Sequence, residues 1–260
     1  MTLRGACCAR EEHAPATAGP VREPAALVSD TLGLAGLDFL APAPALAPAR
    51  SPLAGPAERA GGRLGEREGW TVAVVFADAQ PEARAIAETV GVADASHLSV
   101  HEGQGAGILS GEEGTAPGCA RRRGGAWYCP LHPRRALLVD GPSPGPGWLD
   151  LTSAFAGLSL IGPLARDVLA RVSALDLRPG RAPISALRPG SVARTPAMVL
   201  REDEDVYLLR FGAAFALYMW TAVVDAAQRL GGAPIGVDAA LTARRAALGE
   251  PAPGRRRDDA

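Results

Sequence analysis

The 260-residue chain is 47% hydrophobic and carries 27 basic against 28 acidic residues, so it can bury a substantial core but lacks the basic excess that nucleic-acid binding requires. Its four cysteines, Cys7, Cys8, Cys119 and Cys129, do not make a disulfide framework in a chain of this length. No apolar run reaches the roughly eighteen residues of a membrane span, and Arg4, Arg10, Glu11 and Glu12 stand where a signal core would lie, so the reading is a cytoplasmic protein with no membrane or nucleic-acid partner.

Residues 1–65 are dominated by Ala, Pro, Gly and Arg, as in APAPALAPARSPLAGPAERAGG. Such a stretch buries too little surface to offset its ordering entropy, and the expectation is a largely disordered segment with one short helix around 25–37. Order is expected from Trp70, where WTVAVVFA alternates as a buried strand. A helix follows, with Asp78 as cap, Pro81 in its first turn, Ala85, Ile86 and Val90 on one face and Gly91 as the stop.

The next segment, VADASHLSV, leads into a strand through Asp94 and Ser96. Residues 102–134 read as a turn-rich surface loop: Gly103, Gly105 and Gly107 fit neither phosphate-binding glycine pattern, and Arg121, Arg122 and Arg123 beside Trp127 and Tyr128 read as solvated. Cys119, Cys129 and His132 have the spacing C-x9-C-x2-H, one ligand short of a metal site, so no metal is assigned. His97 and His101 read as structural or surface histidines. ALLVD at 136–140 is a short strand, and GPSPGPG turns the chain into the best-formed stretch, 148–177. There Asp150 and Thr152 repeat the earlier Asp-x-hydroxyl pattern ahead of a strand ending at Ile161, and Gly162-Pro163 open a helix in which Leu164, Val168, Leu169 and Val172 recur at helical spacing. Both Asp94 and Asp150 are assigned to turn geometry.

Further on, 192–200 and 206–211 pair as strands across a solvated acidic turn, 201–205. The last long helix carries an apolar stripe of Phe215, Met219, Ala222, Val223, Ala226 and Leu230, which leaves Tyr218 and Trp220 off the stripe as anchors of the kind interfaces use. GGAPIGVDAA then turns into a short final helix, and the tail 249–260 is expected to fray.

The order VGVADASHLSV, then WLDLTSAFAGLSLIGPLARDVL, then VART, then an amphipathic helix and GGAPIGVDAA resembles the glycine-cleavage T-protein (aminomethyltransferase) superfamily, and within it the gamma-subunit type of heterotetrameric sarcosine oxidase. The resemblance implies an α+β folate-binding-type domain of two pseudo-symmetric halves over 66–248. It also implies a place in one-carbon metabolism, with tetrahydrofolate as cofactor. Carried over by position, Arg194 matches the family's Arg-Thr lead-in, Tyr207 falls near the glutamate that holds the pterin ring, and Arg244 falls near the arginine that meets the glutamate tail. These three are the candidate cofactor-binding residues. The chain departs from the family at decisive places. Val206 or Tyr207 stands where the pterin-binding glutamate would be, Asp140 lies outside the family's catalytic segment, and the C-terminal barrel is missing. No catalytic residue is assigned. Two readings follow: a non-catalytic accessory subunit that packs against a larger oxidase or methyltransferase subunit, or a tetrahydrofolate-dependent aminomethyltransferase with a rearranged site.

Overall fold

The computed structural model describes residues 48–76, 78–105 and 116–249; the expected helix at 25–37 and almost all of the tail from 249 lie outside them. In chain order the elements are β1 (Ala49–Arg50), α1 (Ala54–Arg59), β2 (Arg63–Arg67), β3 (Trp70–Val75), α2 (Ala79–Glu88), β4 (Gly91–Asp94), β5 (Val100–Gln104), β6 (Arg121–Arg123), β7 (Ala126–His132), β8 (Arg135–Val139) and β9 (Trp148–Asp150). They continue with β10 (Phe155–Ile161), α3 (Ala165–Val172), β11 (Leu187–Val192), β12 (Thr195–Asp203), β13 (Val206–Gly212), α4 (Ala216–Gln228), β14 (Ala233–Pro234) and α5 (Val237–Ala247). The class is α+β, as expected.

Three sheets are built from these strands, ordered β1-β3-β2, β11-β12-β13-β10-β4-β14 and β6-β7-β8-β5-β9. The six-stranded sheet is the centre. Its strand β10 pairs antiparallel with β13 along one edge and β4 along the other, and six of its seven residues are buried, so both of its faces are also packed. That burial explains why FAGLSLI reads as apolar on both faces. On one face α3 and α4 pack against each other, with Val168, Leu169, Met219 and Val223 fully buried in a core shared with Leu158 and Leu160. A second core, with Val100, Trp127, Cys129, Leu137, Leu200 and Leu208, draws on strands of the five- and six-stranded sheets.

Three expectations need correction. Residues 48–65 are not an unstructured lead: Leu53 and Ala57 are fully buried in the main core, so folded structure begins no later than residue 48 rather than at 66. Nor are the described residues of 102–134 a surface loop, because β5 runs to Gln104 and β6 and β7 form a hairpin that pairs on to β8, with Trp127 only 2% exposed and the Arg122 guanidinium 5.3 Å from its ring centre. On α4 the two aromatic roles are exchanged. Trp220 is buried and stacks on Phe76 at 6.0 Å, whereas Phe215 is exposed together with Leu217 and Tyr218.

Two hairpins turn on paired left-handed residues, Glu68-Gly69 between β2 and β3 and Ala193-Arg194 between β11 and β12. Two-residue turns of this kind match the right-handed twist of the strands they join.

Candidate functional site

The loop between β4 and β5 is stitched to the end of β8. Ser99 Oγ donates to the Gly141 carbonyl at 2.6 Å and accepts from the Gly141 N–H at 2.9 Å, while the Asp140 N–H donates to the Ser99 carbonyl at 2.9 Å. Asp140 thereby sits in the left-handed region, φ 61°, a conformation that a non-glycine residue holds only where its surroundings impose it. Around this junction lies an open cleft of about 420 Å³, lined by the Glu68 turn, Trp70, His97, Ser99, Asp140, Gly141 and the Asp150-Thr152-Ser153 turn.

The repeated Asp-x-hydroxyl pattern forms the same local bond twice. Asp94 Oδ1 accepts the Ser96 N–H and Asp150 Oδ1 accepts the Thr152 N–H, both at 2.8 Å. Thr152 Oγ1 also donates to Asp150 at 2.6 Å, which holds that carboxyl below its usual range. The environments then diverge. Asp94 is buried, and its desolvation pushes the carboxyl upward against the hydrogen bonds from Ser51 and Ser96.

Beneath the cleft is a buried ion cluster. Arg244 Nε donates to Glu202 Oε2 at 2.5 Å and Nη2 donates to the other oxygen, a bidentate pair, while Nη1 donates to Asp140 Oδ2 at 2.6 Å. Burial alone would lower the Arg244 pKa, but Glu202 and Asp140 together hold it raised. Glu202 is 1% exposed because the register of β12 against β13 slips between Arg201 and Asp203, so the residue between them is carried into the interior. The acidic turn expected to be wholly solvated therefore supplies the most deeply buried carboxylate.

Two further polar side chains are enclosed here with incomplete partners. Arg210, opposite Gly157 on β10, donates Nη2 to the Leu98 carbonyl at 2.6 Å, but its Nε and Nη1 have no hydrogen bond; desolvation lowers its pKa to about 10. His97 is 5% exposed and neither ring nitrogen has a partner; desolvation, then the Arg210 charge, lowers its pKa to about 4, so the ring is neutral near pH 7. His97 was expected to be an ordinary histidine, and only its placement in the fold marks it out.

The three residues expected to hold tetrahydrofolate do not come together as a folate site. Arg194 is exposed at the β11–β12 hairpin tip, with φ 62°. Tyr207 is 1% exposed within β13, its ring 5.8 Å from the Arg201 guanidinium, and is enclosed too far to stack on a ligand. Arg244 does lie beside the site, but its guanidinium is spent on Glu202 and Asp140. The cleft's own lining contains no arginine, but the pocket that adjoins it through Glu68, Asp140 and Gly141 is lined by Arg122, Arg244 and Arg245. Arg194, Tyr207 and Arg244 therefore do not assemble the expected folate site, and no chemical step is derived through a folate. Cys119, Cys129 and His132 do not converge either: Cys129 is buried with its thiol pushed up by desolvation, His132 is exposed, and no group of three His, Cys, Asp or Glu suited to a metal occurs among the described residues.

Residues 147–247, which include β9, β10, the β11–β12–β13 strands, α4 and Arg244, match the family model of the GCVT N-terminal domain. The fold is that of the aminomethyltransferase superfamily. A chain of heterotetrameric sarcosine oxidase from Corynebacterium sp. U-96, solved in complex with pyrrole 2-carboxylate, is similar at TM-score 0.52 and 21% identity over 72% of this chain and 98% of its own. The glycine cleavage system aminomethyltransferase T from Bartonella henselae is similar at TM-score 0.61 and 18% identity, over 76% of this chain and 61% of its own. At these identities the aminomethyltransferase likeness is one of fold, and against the Bartonella transferase this chain spans only 61% of the length. No curated protein sequence matches the chain. No helix among the described residues is long and apolar enough to cross a membrane.

Proposed function

We propose that the protein is a non-catalytic accessory subunit, built on the aminomethyltransferase fold, of a larger amine-oxidising or methyl-transferring assembly in one-carbon metabolism, located in the cytoplasm. The observation that carries this reading is the Arg244 cluster. The deepest carboxylate beneath the cleft, Glu202, is neutralised by a bidentate arginine, and that arginine is also bound to Asp140. A carboxylate locked in this way offers no free edge to a heterocycle and no poised base.

Two further features support an assembled state. Phe215, Leu217 and Tyr218 are each about half exposed on one short stretch at the start of α4, as partner contacts commonly are. The similarity to the sarcosine oxidase chain runs over 98% of that chain, whereas the transferase has a large part with no counterpart here.

The test is co-expression with the large flavin-bearing subunit of such an oxidase, followed by size-exclusion chromatography with light scattering and calorimetry with tetrahydrofolate. A stable stoichiometric complex and no heat at millimolar tetrahydrofolate are expected. A monomer that turns over tetrahydrofolate would overturn the reading in favour of an aminomethyltransferase with a rearranged site.

A further inference from the structure

A second open groove, of about 360 Å³, lies where α2, α5, the β10–α3 junction and the β12–β13 turn meet. Its floor is apolar. Ile161 and Val206 are buried partners across β10 and β13, and Ile86 is half-buried against the same small core. Ala87 and Ala247, both exposed, line it from the last turns of α2 and α5. One wall is acidic, because Asp203, Glu204 and Asp205 line it and their carboxylates make no hydrogen bond or ion pair among the described residues. Arg201 lies nearby, but its guanidinium donates to the carbonyls of Ala182, Asp203 and Glu204 and leaves those carboxylates open.

The groove thus favours a basic occupant twice over, through the three carboxylates and through two helix C-terminal ends, which carry partial negative charge. A candidate is tethered beside it. Gly249, two residues past Ala247, closes α5 in a left-handed turn, φ 68°, and the sequence then runs EPAPGRRRDDA. The six residues from Gly249 to Arg255 span at most about 20 Å. That reach is ample, because α5 packs on β10 and the acidic turn begins one strand spacing, about 5 Å, beyond β10. Pro251 and Pro253 have fixed φ, so this part of the tail loses little entropy on being held.

We propose that the chain's own tail, residues 250–257, occupies this groove, with Pro251 and Pro253 over Ile86, Ile161 and Val206, and with Arg255, Arg256 and Arg257 against Asp203, Glu204 and Asp205. Asp258 and Asp259 follow the arginines and extend past the acidic turn. Exposed ion pairs are weak one at a time. The tether, however, holds the tail at an effective concentration on the order of millimolar, so weak contacts suffice. This inference does not rest on the accessory-subunit reading, since neither the exposed start of α4 nor the cleft at Asp140 lines the groove.

The experiment is limited trypsinolysis of the full chain at low ionic strength, with cleavage after Arg255, Arg256 and Arg257 followed by mass spectrometry. An isotope-labelled peptide of residues 249–260 in the same tube is the free reference. Cleavage of the tail is expected to be slower than that of the peptide by about fivefold, since only the undocked fraction is cut. Glu204→Gln with Asp205→Asn, and separately Ala87→Gln, should each bring the two rates within about twofold at an unchanged melting temperature, as should about 0.5 M sodium chloride for the charge pairs. A tail cut as fast as the peptide, or protection that survives either set of substitutions, would overturn the proposal. Protection that grows with protein concentration would also overturn it, by giving the groove to the tail of a second copy. None of these readouts involves a partner subunit or a folate, so failure here is distinguishable from failure of the accessory-subunit reading.

Discussion

Ser51 donates its hydroxyl to Asp94 at 2.5 Å, joining the β1–α1 junction to the end of β4 across 43 positions of sequence. Both residues are 3% exposed, and Ser51 Oγ also accepts the Leu53 N–H at 3.0 Å, so one serine fixes the turn ahead of α1 and satisfies a buried carboxyl. Ser51→Ala leaves an Asp94 oxygen without its partner and is expected to cost about 1–3 kcal/mol in urea unfolding. A loss under about 0.5 kcal/mol would show that Asp94 does not depend on this bond.

Arg244 stands between Glu202, whose side chain is 0% exposed, and Asp140, at 26%. Arg244→Met removes the cation and strands a buried carboxylate, so a loss of about 3–5 kcal/mol is expected by denaturant titration. The double change Arg244→Met with Glu202→Leu removes both charges and should recover most of that loss. If the double variant is no better than the single one, packing rather than charge pairing governs the cluster.

The pH dependence follows from His97. Its folded pKa is about 4 against an ordinary 6.5, so between these values the unfolded chain binds a proton that the folded chain refuses. Stability is therefore complete above pH 6.5 and falls as the pH drops from 6.5 toward 4, by at most about 3 kcal/mol from this group. Asp94 acts in the opposite sense, because its raised folded pKa means the folded chain takes up a proton first on acidification, which offsets part of the loss. Unfolding by urea at intervals between pH 7.5 and 5 should show the decline, and His97→Gln should flatten it. A slope unchanged in His97→Gln would remove His97 as its source.

Two glycines are required by close backbone approach. A Cβ on Gly236 would lie 2.0 Å from the Val74 carbonyl oxygen, and one on Gly162, at φ 130°, would lie 2.6 Å from that of Thr89. Gly236→Ala pushes α5 off β3 and Gly162→Ala breaks the junction of β10 with α3, each at an expected cost above about 3 kcal/mol or with loss of soluble folded protein. Circular dichroism melts would expose either outcome. A melting point within a degree or two of the natural chain would contradict the close approach.

The Ala193-Arg194 turn is strained in the other direction, because both residues hold positive φ, 46° and 62°, with side chains that disfavour it. Replacing the pair by Asn-Gly keeps the turn and relieves the strain, for an expected gain of about 1–2 kcal/mol and a rise of several degrees in melting temperature. No gain would indicate that the Arg194 side chain contributes contacts which outweigh its backbone strain.

The sequence showed most of the central sheet and its helices. β10 into α3, the β12–β13 pair and the buried stripe of α4 all follow from apolar spacing, because there the burial alternates with the element's own period. Where the chain buried something other than aliphatic side chains, the pattern went silent. β6 is Arg-Arg-Arg, and its half-buried member, Arg122, lies over Trp127, so the strand reads as a solvated charge run. The stretch 48–65 is masked by its alanines and prolines, although Leu53 and Ala57 are wholly enclosed. Glu202 is hidden by a slip in register that no alternation predicts. Phe215 and Trp220 exchange roles because Phe76, far away in sequence, offers the indole a stacking partner. The cleft is assembled from β2–β3, β4–β5, β8 and β9, and no single motif spans it.

The hook formed by β1 and α1 sets an order of events during synthesis. Leu53 and Ala57 emerge among the first of the described residues, yet they complete a core whose other side includes Val223 and Val224 of α4. β3 and Asp94 can hold the hook early, but until α4 has left the ribosome the side of its core that faces Val223 and Val224 stays open. Docking of α1 on α4 therefore comes late and closes a long loop, as does the packing of α5 on β3. A stalled nascent chain ending before α4 would leave the core face of α1 accessible to chaperones or proteases, and release of α4 would bury it.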